Sequence, residues 1–359
     1  MKSKSSVLLP ISNNKSLIKL IMADPRDGDV VTVGIGRRQR ENLPVSNVRL
    51  PWNLRSDANS CFINVVLVVF ANVPSLRQYL ETSFPHVVRD NATTSDIAGL
   101  WAEVNRRMSS TEISFFPADL IKELQRVTGE PLREQKGDAF MFAMSLFKWA
   151  DNSVPWRDGD RHSPIRDRDY DQTSPFFSII GGLYRTRTGN LEPFTSIPLV
   201  PTRPRLEDCL RAQLNDYPPR RCSSLPRCLI FSFGRVTFNP ATGSSDKNML
   251  FVAYPALLDM RQFCDADVPA TSCTLFQLCG VVVHGGPRID DGHYFAYVKS
   301  SDDKQWYSYR ESTRVGVSFD TDVSAVQPNL NQAVYMLVYS VLEPGALTSK
   351  ATQLMNERA

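Results

Sequence analysis

No apolar run in this 359-residue sequence approaches the roughly 20 residues that a bilayer-spanning helix needs, so no membrane anchor is expected. Charge of one sign is scarce as well. Lys and Arg number 41 against 38 Asp and Glu, a net +3. The basic residues are spread along the chain, which excludes the concentrated footprint of a nucleic-acid binder. The seven cysteines are odd in number, and their spacings outline no disulfide framework. Lysines occur within the first 22 residues, but the apolar stretch Val7 to Ile11 is shorter than a signal peptide's and Pro10 interrupts it. Reduced thiols and a cytoplasmic or nuclear location are therefore predicted. A phosphate loop is missing too: Gly34-Ile35-Gly36 lacks a third glycine and a clear helix after it, and reads as a turn. Only four histidines are present, which leaves few candidates for a general base.

What is there fits a globular enzyme with subdomains. Hydrophobic residues make up 42% and charged residues 22%, enough to build a sizeable core. Residues 1–45 read as an N-terminal extension ending in a basic run, Arg37-Arg38-Gln39-Arg40. From Pro51 to Asp151 apolar residues recur three and four apart at Leu76 to Leu80, Ile97 to Met108, Pro117 to Val127 and Ala139 to Trp149, the period of helices. Ser95 or Asp96 suits the cap of the second, and Pro117 suits the first turn of the third. Arg157 to Asp171 alternates Arg and Asp with almost nothing apolar, a composition that predicts a surface loop. After Pro175 the pattern changes to short apolar runs broken by Pro, Gly, Asn and Asp. These are Phe176 to Ile180, Cys228 to Phe233, Met249 to Tyr254, Thr274 to Val283, Tyr294 to Lys299, Trp306 to Tyr309 and Ala333 to Tyr339. Helices followed by strands, without β-α-β alternation, predict an α+β fold. A helical half (46–151) and an antiparallel half (175–342) would then enclose a cleft, and residues 343–359 form a polar tail.

A cysteine hydrolase needs a thiolate, an imidazole, a group to orient it and donors for the oxyanion. Cys61 follows Asp57-Ala58-Asn59-Ser60, residues suited to a helix cap, and precedes the apolar run Phe62 to Phe70. At a helix N-terminus the dipole favours a thiolate and exposed N–H groups face the reaction. The run is rich in β-branched residues, however, and by propensity alone it reads as a buried strand with Cys61 a structural thiol. His293 stands in Asp290-Asp291-Gly292-His293-Tyr294-Phe295-Ala296-Tyr297, a turn followed by an alternating strand, which puts the imidazole at a strand entrance.

Four separated segments resemble the boxes of the ubiquitin-specific protease family, in order. Asn53-Leu54-Arg55-Ser56-Asp57-Ala58-Asn59-Ser60-Cys61-Phe62-Ile63-Asn64 is similar to its Cys box, Gly-Leu-x-Asn-x-Gly-Asn-Thr-Cys-Tyr-x-Asn. Gln135-Lys136-Gly137-Asp138-Ala139-Phe140-Met141-Phe142 resembles Gln-Gln-Asp-Ala-x-Glu-Phe. Leu225-Pro226-Arg227-Cys228-Leu229 through Gly234-Arg235-Val236 resembles the Leu-Pro-x-x-Leu-x-x-x-Leu-x-Arg-Phe strand. Gly292-His293-Tyr294-Phe295-Ala296-Tyr297, Trp306-Tyr307-Ser308-Tyr309 and Ala333 to Tyr339 resemble the His box and the domain's end. The resemblance covers residues 50–341. It implies a papain-like cysteine protease fold, Cys61 as nucleophile, His293 as general base and ubiquitin or a ubiquitin-like modifier as partner.

The departures are equally specific. The family's acidic or Asn partner of the histidine falls on Arg310, which cannot accept a hydrogen bond. Glu311, the next residue, is then the carboxylate available to orient His293. The oxyanion Asn corresponds to Ser56, whose hydroxyl donates but reaches less far. The Glu of the second box is Met141, and the Gln after the Cys box is Val68. The two Cys-x-x-Cys pairs that hold zinc in most members have no counterpart near Gly182 to Asn190 or between Leu214 and Leu225. Cys222 and Cys228 are too far apart to form one pair, as are Cys273 and Cys279. No metal and no cofactor are expected. The resemblance implies cleavage after the C-terminal glycine of ubiquitin; a silent ubiquitin-binding scaffold and a peptidase for a ubiquitin-like modifier stay open beside it.

Overall fold

The computed structural model describes residues 54–55, 59–83, 96–109, 114–153, 174–215, 219–239, 244–286, 288, 292–302, 304–310, 313–317 and 334–342. All fall within Arg49–Ala359; the predicted N-terminal extension 1–45, loop 157–171 and tail 343–359 lie outside the described residues.

The first helix is the one that propensity opposes. Helix α1 (Cys61–Phe70) buries every residue from Phe62 to Phe70. A helix apolar all round is a core helix. The few tenths of a kcal/mol per residue lost to β-branching are small beside roughly 1.5–3 kcal/mol for each large side chain buried. Helices α2 (Pro74–Ser83), α3 (Ile97–Ser109), α4 (Ala118–Thr128) and α5 (Ala139–Asn152) form where the 3.6-residue period places them, and α5 packs directly on α1. Asp96 caps α3 by accepting from Gly99 N at 3.1 Å, and Pro117 occupies the N-cap of α4. Phe70, Phe147, Trp101 and Phe176 form a chain of edge-on and stacked rings in this half.

Two sequence expectations fail here. Phe176 to Ile180, expected as a strand, is helix α6 (Pro175–Ile180), because Ser174 accepts from Phe177 N at 2.9 Å and Pro175 occupies the first turn. A five-residue apolar run has no period to settle the matter, and the cap decides it. Met249 to Tyr254, also expected as a strand, runs irregularly with one bridge, Arg205 to Ala253. Carbonyls of Asn248 and Leu250 are bonded by the Arg235 guanidinium instead of a neighbouring strand.

Strands β1 (Gly182–Thr186), β2 (Leu191–Phe194), β3 (Ile197–Leu199), β4 (Arg220–Ser224), β5 (Cys228–Phe233), β6 (Val236–Asn239), β7 (Ser244–Lys247), β8 (Leu257–Asp259), β9 (Leu275–Gly285), β10 (His293–Lys299), β11 (Trp306–Arg310), β12 (Thr313–Val317) and β13 (Val334–Val341) follow, with helix α7 (Leu206–Asn215) between β3 and β4. The main sheet has the order β12-β11-β10-β9-β13-β5-β3, antiparallel except for β3 beside β5, and β8 adds to β9. Its middle strands are buried on both faces. Tyr294, Ala296 and Val298 of β10 join the core of α1 to α6, while Tyr297 joins a second core with α7 behind the sheet. Helix α1 lies flat on β9 because Gly280 has no side chain: a Cβ there would be 2.5 Å from Val69. Strands β2-β1-β4 form a small separate sheet, and β6-β7 a two-stranded hairpin.

Candidate active site

Ser60 O accepts from Asn64 N at 2.9 Å, so Cys61 is the first residue of α1, and it is half-buried. Helix geometry leaves the N–H groups of Cys61, Phe62 and Ile63 without an intrahelical acceptor, which sets donors around the thiol. The segment ahead of it is pinned from three sides. Arg55 N donates to Phe115 O at 2.7 Å, Tyr309 Oη donates to Leu54 O at 3.2 Å, and Asn64 Nδ2 donates to Arg55 O at 3.3 Å. Ser56 follows directly on this pinned pair and lies outside the described residues.

A second helix N-terminus arrives beside the first. Asp138 caps α5, accepting from Met141 N at 2.9 Å, and its other oxygen accepts from Tyr335 Oη of β13. Gly137 approaches α1 so closely that a Cβ would be 2.5 Å from the Phe62 ring. Tyr294 completes the junction: it is hydrogen-bonded to Tyr335, accepts from Ala139 N–H, and has its ring centroid 5.4 Å from that of Tyr335. Burial first, then the charge of Asp138, holds the Tyr294 hydroxyl well above the usual phenol range, with Cys61 close enough to contribute.

His293 opens β10 opposite Gly285 and is half-buried. Its Nε2 is shielded from solvent and has no hydrogen-bond partner among the described residues. Helix α1 packs against β10, so Cys61 and His293 stand at the starts of two elements in contact. No described hydrogen bond joins thiol to imidazole.

Behind His293 lies a second imidazole. His284 of β9, 5% exposed, has its ring 4.7 Å from Tyr294 and accepts at Nδ1 from Lys247 Nζ at 3.0 Å. A Cβ on Gly292 would be 2.6 Å from His284 Nε2 and 2.2 Å from Gly285 O, so only glycine fits immediately before His293. Burial, reinforced by Lys247, lowers the His284 pKa to about 4. An unfolded imidazole binds its proton near pH 6.5, so this burial leaves stability intact above that pH. Stability then falls as pH drops from 6.5 towards 4, by up to about 3 kcal/mol. Urea unfolding between pH 4.5 and 7 should show that slope in the natural protein and a flatter one in His284→Gln; equal slopes would refute it.

The third position behaves as its chemistry dictates. Arg310 ends β11, one position beyond the pair Tyr309–Ala296, beside Phe295 on the face of β10 that also carries His293. Its guanidinium lies 3.8 Å over the Phe295 ring and donates to Tyr297 Oη at 3.0 Å. It offers His293 no acceptor. Glu311, expected to orient His293, connects β11 to β12 and lies outside the described residues. Met141 is 60% exposed beside Asp138, whereas Val68 is buried within α1. Among the described residues no group of three or more His, Cys, Asp or Glu is placed to hold a metal, and no single helix is long and apolar enough to cross a membrane.

The sequence points to Cys61 and His293 as candidates but attaches no role to Asp138, Tyr294, Tyr335, His284 or Lys247. The first three lie inside the boxes, so the signal was present without a role attached. His284 was visible only as one of four histidines, and Lys247 carried no signal.

Comparison with known proteins places this arrangement. A sequence profile described as ubiquitin carboxyl-terminal hydrolase matches residues 53–339. Ubiquitin carboxyl-terminal hydrolase 17-like protein B of Mus musculus is 25% identical over 317 residues, covering 80% of this chain and 63% of that protein. The 17-like protein 12 of Homo sapiens is 24% identical over 349 residues, covering 87% and 60%. The chain thus spans less than two thirds of these relatives. Among solved structures, the SAGA Ubp8/Sgf11/Sus1/Sgf73 DUB module bound to monoubiquitin superposes with a TM-score of 0.65 at 17% identity, covering 83% of this chain and 71% of that one. The same module bound to ubiquitin aldehyde gives 0.64, 17%, 83% and 71%. At that identity the likeness establishes a shared fold, the papain-like one.

Proposed function

We propose that this chain, which belongs to the ubiquitin carboxyl-terminal hydrolase family, is a thiol-dependent deubiquitinase whose nucleophile is Cys61. The observation that carries the reading is the junction of α1 with β10: a half-buried thiol at a helix N-terminus, and His293, whose shielded Nε2 has no partner among the described residues, at the start of the strand packed on that helix. Cys61 Sγ attacks the carbonyl carbon after the C-terminal glycine of ubiquitin while His293 takes the thiol proton. The oxyanion forms among the N–H groups at the start of α1 and the Ser56 hydroxyl. His293 returns its proton to the leaving lysine amine, and water then opens the thioester by the same base. Glu311 orients His293 in this scheme. The roles of Ser56 and Glu311 rest on the resemblance of their segments to the family boxes. We assign residues 46–342 to the catalytic domain and place it in the cytoplasm or nucleus, where seven unbridged thiols are stable.

Arg310 favours one alternative, a ubiquitin-binding scaffold, because it removes the acceptor for His293. Incubation with ubiquitin bearing a C-terminal electrophile separates the readings. The expected result is a single covalent adduct on Cys61, absent from Cys61→Ala. Binding without adduct would install the scaffold, and an adduct only with the probe of another modifier would change the substrate class.

A further inference from the structure

Lys247 ends β7, on a hairpin outside the main sheet, yet its ammonium reaches the end of β9. It meets His284 Nδ1 at 3.0 Å, His284 O at 2.8 Å and Gly286 O at 2.6 Å. An ammonium has three protons and no lone pair, so these partners exhaust it and the ring nitrogen it meets must be an acceptor. His284 is then neutral, with its ring proton on Nε2. That edge of the ring packs against Gly292, where no side chain fits, and Gly292 precedes His293. The strand register repeats the link: Gly285, between the two carbonyls that Lys247 holds, pairs with His293, and His284 pairs with Tyr294. Two of the bonds therefore grip the backbone opposite the general base and the third grips the ring behind it.

We propose that Lys247 is a positioning residue for the hydrolysis, placing His293 by fixing the end of β9 and the tautomer of His284. The proposal rests on Cys61 and His293 being the reacting pair. Burial draws the Lys247 pKa down to about 8 and that of His284 to about 4. A charged amine and a neutral imidazole thus coexist between those values, the one combination these bonds accommodate. The other charges acting on the pair are Arg235 on Lys247, and Asp138, His293 and Lys136 on His284. The ring is also flanked by Tyr294 and Tyr335, at 4.7 and 6.3 Å, and among the described residues Lys247 is the charged group bonded to it. Displacing a catalytic group by about 1 Å costs up to about a hundredfold in rate, which sets the size of effect to look for.

The test uses the full chain and Lys247→Met, which keeps the stem and removes the donors. Labelling by the ubiquitin electrophile should slow about tenfold in the covalent step, with the concentration for half-maximal rate within about twofold of the natural protein. Alkylation of Cys61 by iodoacetamide, followed by mass at that residue, should slow as well, and it needs no ubiquitin recognition. Spectra of ¹⁵N-histidine-labelled natural protein at pH 6, assigned with His284→Gln, should show His284 neutral with its proton on Nε2. In Lys247→Met the Nδ1-protonated form should appear. Unchanged covalent and alkylation rates in Lys247→Met would overturn the proposal. So would a natural His284 that carries its proton on Nδ1 or titrates near 6.5, a reading that stands even if Lys247→Met does not fold. Absence of any ubiquitin labelling in the natural protein would refute the deubiquitinase reading instead, while the spectra and the alkylation still judge Lys247.

Discussion

Replacing Arg310 by Asp is expected to raise the rate at which Cys61 is labelled by a ubiquitin electrophile roughly ten- to hundredfold, well inside the ~10⁴ that removing a serine protease's carboxylate costs. The gain follows from where Arg310 sits. It occupies the β11 position beside Phe295 on the face of β10 that carries His293, and diagonal neighbours on one face lie about 7–8 Å apart at the backbone, within side-chain reach. There a carboxylate accepts the imidazole N–H and favours the imidazolium that forms during attack. Arginine can do neither, and its guanidinium is held by Phe295 and Tyr297. Losing that stack at an exposed position costs only about 0.5–1 kcal/mol, so folding should survive. Glu311→Ala should slow labelling if Glu311 orients His293 as proposed. If Ser56 limits the reaction, Arg310→Asp alone gains less and adding Ser56→Asn supplies the rest. A double variant that stays inert while binding ubiquitin would leave the scaffold reading in possession, and one that neither reacts nor binds would show the modifier to be wrongly chosen.

Unfolding in urea should reveal a second large effect, a loss of about 3 kcal/mol in Arg235→Leu, since each buried carbonyl deprived of its donor costs about 1–3 kcal/mol. Arg235 is 1% exposed and lies just past β5. Its Nε donates to Val334 O at 2.5 Å, and its Nη1 donates to Asn248 O at 2.7 Å and Leu250 O at 3.1 Å. One side chain thus ties the start of β13 to the irregular stretch that follows β7. Burial lowers its pKa to about 10, so it stays cationic at pH 7 and part of the lost bonding is offset by relief of that desolvation. Water reaching Asn248 and Leu250 offsets more, which places the total near the cost of one or two fully orphaned groups. Arg235→Lys should recover only part of the loss, because one ammonium cannot copy the fork that spans three carbonyls. A Leu variant within 0.5 kcal/mol of the natural protein would mean that these carbonyls find other partners.

Sequence alone determined the α+β order and the four helices with clear 3.6-residue periodicity, and it singled out Cys61 and His293 as candidates, because those depend on local pattern or on residue types rare enough to stand out. It also exposed Arg310 and Ser56 as departures, since register is countable. It misjudged Phe176 to Ile180 and Met249 to Tyr254, short apolar runs whose state is set by a serine cap in one case and by a distant guanidinium in the other. The state of α1 was beyond it as well: Val65-Val66-Leu67-Val68-Val69 is strand-like by propensity, and only enclosure by α5, β9 and β10, with Gly280 making room for Val69, makes the helix the better burial. The supporting shell was the least legible part. Asp138 meets Tyr335 across 197 positions of chain, and Lys247 meets His284 across 37. Such pairs follow no periodicity, since their contact is created when separate elements share a core, and so it was the tertiary structure that decided which polar groups stand behind the thiol and the imidazole.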